Sequence, residues 1–160
     1  MKMLNGWHRC QRALRTLNRR TEGSALVEFA LALPILLMLL TGIMSFGTAL
    51  MHYETLAHAT ADAAQYLVTL RGQTTDPCAD AYSAFTAAAS PGLDITQVQG
   101  FSVQLGSNSA GGKTCSGNQS QMKVGDPATV KAQFPCNVGV YGVSLTPGCM
   151  LNSQITEYEN

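Results

Sequence analysis

Residues 22–34 read Glu22-Gly23-Ser24-Ala25-Leu26-Val27-Glu28-Phe29-Ala30-Leu31-Ala32-Leu33-Pro34. A glycine closes a polar leader, an apolar run opens at once, and a lone carboxylate, Glu28, is the fifth residue after that glycine. Downstream, residues 29–51 contain no charged residue and no histidine, 23 positions in all. As a helix this run would extend about 35 Å, enough to cross a hydrocarbon core of ~30 Å. Pro34 would cost a helix in water ~3 kcal/mol, but a membrane helix carries proline as a kink. The stretch therefore reads as a transmembrane helix. A carboxylate near one end of such a helix is unfavourable unless paired, which makes Glu28 a candidate functional residue.

Upstream, residues 1–23 hold six of the ten basic side chains (Lys2, Arg9, Arg12, Arg15, Arg19, Arg20) and one acid, Glu22. Residues 24–160 hold the other four bases and nine acids, so a formal net charge of zero hides a basic head on an acidic body. A nucleic-acid binder would carry its basic patch on the folded part, so that class is set aside. The positive-inside rule places the head in the cytoplasm and everything after about residue 52 across the membrane. Charged residues make up only 12% of the chain, about half the share usual for a soluble globular protein. With 160 residues there is room for one compact domain at most.

The cysteines fit that orientation. Cys10 lies in the head, while Cys78, Cys115, Cys136 and Cys149 lie beyond the apolar run. Four cysteines there suit two disulfides in an oxidising compartment. Zinc is disfavoured, because there is no Cys-x-x-Cys and no histidine after His58. Three pairings are open, of which Cys78–Cys115 with Cys136–Cys149 is one.

No helix breaker follows the apolar run. Leu56, Ala59, Ala63, Tyr66, Leu67 and Leu70 continue a helical period, with Glu54, Asp62 and Gln65 off the stripe. One helix over about 24–70 is expected, apolar all round at first and amphipathic later. Its stripe needs a partner surface. Asp76-Pro77 predicts an N-cap and first position for a second helix over 79–89, stopped by Ser90-Pro91-Gly92. The period then becomes two: Phe101, Val103 and Leu105; Val130, Ala132 and Phe134; Val143 and Leu145; and residues 151–158. The expected fold is α+β, a long N-terminal membrane-spanning helix packed on a small antiparallel sheet with disulfides. The expected divisions are leader 1–23, transmembrane helix 24–51, amphipathic continuation 52–71 and extracytoplasmic domain 72–160.

Gly23, the Val27-Glu28-Phe29-Ala30 core, Leu33-Pro34 and the later Ala61-Asp62-Ala63-Ala64-Gln65-Tyr66 resemble the TadE-like family of minor pilins or pseudopilins from tight-adherence (Tad/Flp) pilus systems. The leader itself is similar to a class III signal of the type IV pilin superfamily. The resemblance covers about residues 23–71. It implies cleavage by a prepilin peptidase after Gly23, a mature N-terminus at Ser24, and Glu28 as the carboxylate that registers a neighbouring subunit. Glu28 of one subunit would pair with the freed α-amine of Ser24 on another, so that two charges disfavoured in lipid neutralise each other. The implied partners are the peptidase, a major Flp-type pilin, other minor pilins, inner-membrane platform proteins and membrane lipid. No cofactor is implied. The implied location is a single-pass inner-membrane protein, N-terminus cytoplasmic, with the outer domain periplasmic or built into a surface pilus.

Other signals are weaker. Residues 106–114 approach a phosphate-binding loop, but Ser107 stands where the motif needs glycine, and the segment reads as a solvated loop. His52 and His58 point to different helical faces and read as surface residues near the interface. Asp76, Asp80, Asp94 and Asp126 suit capping and turns as well as any carboxylate pair. Asn118-Gln119-Ser120 is a glycosylation pattern of little weight. No catalytic set and no metal site is expected. The competing reading is a secreted or membrane-anchored extracytoplasmic binding module. Its secreted form would be cut after Ala57-His58-Ala59 to begin at Thr60.

Overall fold

The computed structural model describes residues 21–70, 73–90, 92–115, 122–136, 138–140 and 143–158. The basic leader up to residue 20, with Cys10, and the Asn118-Gln119-Ser120 pattern lie outside the described residues. The chain divides into two units, Met1–Gly42 and Ile43–Asn160.

Helix α1 spans Thr21–Thr69, 49 residues that include Pro34. In the first unit its side chains are exposed almost without exception, among them Leu26, Phe29, Leu31, Ile35 and Met38. That is the reverse of a soluble helix, which hides one apolar stripe. Helix α1 is long and apolar enough to cross a membrane. The hydroxyl of Thr41 donates back to the carbonyls of Leu37 and Met38 at 2.9 and 3.1 Å, so it brings no unsatisfied donor into the apolar run.

In the second unit α1 becomes one-sided. Leu56, Ala59, Thr60, Ala63, Ala64 and Leu67 are buried, recurring at the three- and four-residue spacing of one helix face. Tyr66, expected on this stripe, is 45% exposed. It sits about 100° round the helix from Leu67, and Thr60, not expected on the stripe, is fully buried.

Helix α2 spans Pro77–Ala89. The Asp76 carboxylate accepts from the Ala79 amide at 3.0 Å, and Pro77 supplies a first-turn residue with no N–H to satisfy. A short 3₁₀ turn, Ile95–Gln97, leads into the strands β1 (Gln99–Leu105), β2 (Asn108–Gly111), β3 (Pro127–Pro135), β4 (Gly139–Val140), β5 (Val143–Ser144) and β6 (Met150–Tyr158). Four of them form an antiparallel sheet in the order β2-β1-β3-β6. Its inner face, with Phe101, Val103, Val130, Ala132 and Phe134 alternating against outward Ser102, Lys131 and Gln133, shares one core with the α1 stripe. Phe101 also meets Tyr82 and Phe85 of α2, ring centroids 5.0 and 5.3 Å apart.

Two local expectations are corrected. The segment read as a solvated loop contains β2, which pairs Asn108 with Leu105 and Ser109 with Gln104. Gly106, at φ 58°, makes the tight turn that folds β2 back on β1. The apolar alternation at Val143 and Leu145 does not extend the main sheet. Among the described residues β5 pairs with β4 alone, and the side chains of Val143 and Leu145 are exposed. Cys136 and Cys149 flank this segment, and the Cys136 amide donates to the Cys149 carbonyl at 3.0 Å.

Candidate functional site

Gly23, Ser24 and Glu28 occupy the first turns of α1. Ser24 and Glu28 are one turn apart on one face, and the Ser24 hydroxyl donates to Glu28 Oε1 at 3.3 Å. Gly23 has open space where a Cβ would stand. Val27 and Phe29 flank Glu28 and are 61% and 60% exposed, Ala30 is also exposed, and Pro34 lies within the helix. The local chemistry is thus one carboxylate on an apolar cylinder, with a single hydroxyl neighbour among the described residues. Because α1 runs through Thr21, the Gly23–Ser24 bond lies within helical residues. Glycine there weakens the helix by about 1 kcal/mol relative to alanine.

The four distal cysteines form two pairs. Cys78 and Cys115 have Cα atoms 5.3 Å apart, and Cys136 and Cys149 have theirs 5.2 Å apart, both with sulfurs bonded. Asp76 binds the first pair into the fold, because its Oδ1 accepts from both the Ala79 and the Cys115 amides, at 3.0 and 2.8 Å. Asp76, Cys78 and Cys115 stand close enough to suggest a metal triad. They do not fit one, since bonded sulfurs offer no thiolate and the carboxylate oxygen already accepts two N–H groups.

Two further aspartates, Asp80 and Asp94, do structural work. Asp80 accepts from the Thr74 hydroxyl. Asp94 caps the 3₁₀ turn, and the Thr96 hydroxyl, the Gln97 amide and the Thr96 N–H hold its carboxyl below its ordinary value. His52 is not the plain surface residue expected, for its ring is half-buried edge-on against Phe134, centroids 5.3 Å apart. His58 is exposed.

Two α1 residues escaped notice in the sequence. Thr60 is fully buried and its hydroxyl points at the carbonyls of Leu56 and Ala57, 3.0 and 2.9 Å away. The same hydroxyl lies 2.6 Å from the Ser153 hydroxyl of β6, a hydrogen bond in which either group can donate. Ser45 donates to the Gly139 carbonyl at 2.6 Å. Thr60 was traceable through its spacing of four from Leu56, whereas nothing in the sequence around Ser45 announced a partner 94 residues away. The Ala57-His58-Ala59 string lies inside α1, and cleavage after Ala59 would take Leu56 and Ala59, both fully buried, out of the core.

Among the described residues, one helix long and apolar enough to cross a membrane continues into a disulfide-bonded α+β unit whose core it helps to build. A family model described as TadE-like protein matches residues 23–65, beginning at Gly23 and ending within the buried stripe. The resemblance read from Gly23, Glu28 and Pro34 holds over that segment. No curated protein and no solved structure matches the chain.

Proposed function

We propose that the chain is a minor pilin-like subunit of a Tad/Flp pilus, cut after Gly23 by a prepilin peptidase and assembled through α1. The supporting observation is the lone Glu28, one helical turn from Ser24, at the head of an exposed apolar helix whose family match starts at Gly23. Cleavage converts the Ser24 amide into an α-ammonium at the positive end of the helix dipole, where a cation is disfavoured. In a low-dielectric setting the ammonium gains most from a carboxylate, and Glu28 of an adjacent copy or of a major pilin supplies it. Uncleaved subunits lack that cation, so processing and assembly are coupled. On this reading residues 1–23 stay cytoplasmic, 24–51 cross the inner membrane, 52–71 continue the helix, and 72–160 form the outer domain beside platform proteins and other pilins.

The intact mass of the membrane-extracted protein, with and without the peptidase, tests this. The expected mature chain begins at Ser24 and disappears when the peptidase is missing. A chain that keeps residues 1–23, or one that begins at Thr60, overturns the proposal. For the carboxylate, Glu28→Ala is expected to be processed normally yet to be lost from the sheared pilus fraction.

A further inference from the structure

The uncharged segment between Cys136 and Cys149 touches α1 inside its apolar run. Ser45 Oγ donates to the Gly139 carbonyl at 2.6 Å, six residues before the run ends at Met51. Six residues of helix correspond to about 9 Å along the axis, the depth to which interfacial segments sink into the headgroup and acyl boundary. Gly139 pairs with Ser144 across the β4–β5 ladder, so Val143 and Leu145 stand one strand spacing, about 4.8 Å, from that level.

We infer that the β4–β5 hairpin is a membrane-surface anchor, inserting Val143 and Leu145 into the bilayer that α1 crosses. Both side chains are exposed, at 64% and 60%, Val143 on β5 and Leu145 just beyond it. Phe46, the residue after Ser45 on α1, is exposed as well. Between Lys131 and Glu157 the sequence has no charged side chain, so nothing in the segment resists entering the interface. The hairpin's own polar groups are partly satisfied: Leu145 N–H donates to the Val138 carbonyl at 2.9 Å, and Gly139 accepts from Ser45. The remaining backbone groups find water and headgroups at that depth, whereas deeper hydrocarbon would leave them unpaired. A lipid occupant follows from continuity with the apolar helix, since whatever surrounds Ser45 and Phe46 also surrounds the hairpin.

The inference rests on the reading of α1 as a membrane span, and its test separates the two. In the full chain carrying Trp7→Phe, single tryptophans are introduced as Phe46→Trp, Val143→Trp, Leu145→Trp and Tyr158→Trp. Each protein is reconstituted in phosphatidylcholine vesicles with plain or brominated acyl chains. Tyr158 lies at the far end of β6 and is the aqueous control. Emission from the Phe46→Trp, Val143→Trp and Leu145→Trp proteins is expected to fall by roughly half in brominated lipid, with Tyr158→Trp unchanged. Quenching at position 46 with none at either 143 or 145 overturns the anchor and leaves the span intact. No quenching at position 46 overturns the span and the anchor together. Emission at 143 and 145 that is unquenched but shifts blue as protein rises relative to lipid overturns the anchor in favour of a second copy covering the hairpin.

Discussion

Among the described residues Gly23 packs against nothing, and this decides how its variants behave. A Cβ at that position meets no atom within 4 Å, so Gly23→Leu leaves the folded chain undisturbed while placing bulk beside the scissile bond. On the proposed pathway this variant is expected to accumulate at full precursor mass with an unchanged thermal transition, read by intact mass and circular dichroism. Asp94 allows a second prediction. Its carboxyl is held below the ordinary aspartate value by the Thr96 hydroxyl, then by Gln97 and the Thr96 amide. A carboxyl lowered on folding adds stability above its unfolded value and loses it as pH falls through the folded one. The difference in urea midpoint between the parent and Asp94→Asn should therefore be constant from neutral pH to about 4 and close below it. The effect is small, because Asp94 is fully exposed. At this scale the sequence was most informative where a residue type carries its own chemistry. Asp76 before Pro77 could be read directly as a cap, but its second acceptance, from the Cys115 amide, depends on residues 39 apart and leaves no local trace.

At the scale of elements, α1 and α2 were legible because charge, period and capping all repeat along them. The strands were legible only where alternation is long. β1, β3 and β6 each run for at least seven residues, whereas β2 has four, drawn from Asn, Ser, Ala and Gly, and is defined by its pairing with β1. Val143 carried a true strand signal, but a two-residue ladder with β4 satisfies it, and Leu145 lies beyond the strand. The contact of α1 with β6 is likewise tertiary. Thr60 and Ser153 are both buried and bonded to one another, so removing one hydroxyl leaves the other without its partner. Ser153→Ala and Thr60→Val are each expected to lower unfolding stability by about 1–3 kcal/mol, and the double variant by less than their sum. Chemical denaturation of the four proteins gives the coupling.

For the whole molecule, the second unit has one modest core, closed at two places by covalent bonds. Cys78–Cys115 spans 37 residues and Cys136–Cys149 spans 13. On loop-closure entropy alone these contribute about 4 and about 3 kcal/mol. Reduction is expected to lower the melting temperature sharply, and Cys78→Ser with Cys115→Ser more than Cys136→Ser with Cys149→Ser, as read by scanning calorimetry of the detergent-solubilised chain. The charge asymmetry, the apolar run and the distal cysteines together made this plan readable, since each follows from composition by region.

The inner face of the sheet is roofed by a helix that the chain has already committed to its apolar segment, and this bears on how the protein can be handled. Cutting at residue 72, where the expected outer domain begins, discards Leu56, Ala59, Thr60, Ala63, Ala64 and Leu67 and lays the core open to water. Such a piece is expected to precipitate. A cut placed upstream of Leu56, near residue 53, keeps the whole strip and should elute as a monomer from a sizing column. The natural seam of this protein for crystallisation or antibody work therefore lies within α1, several turns ahead of residue 72.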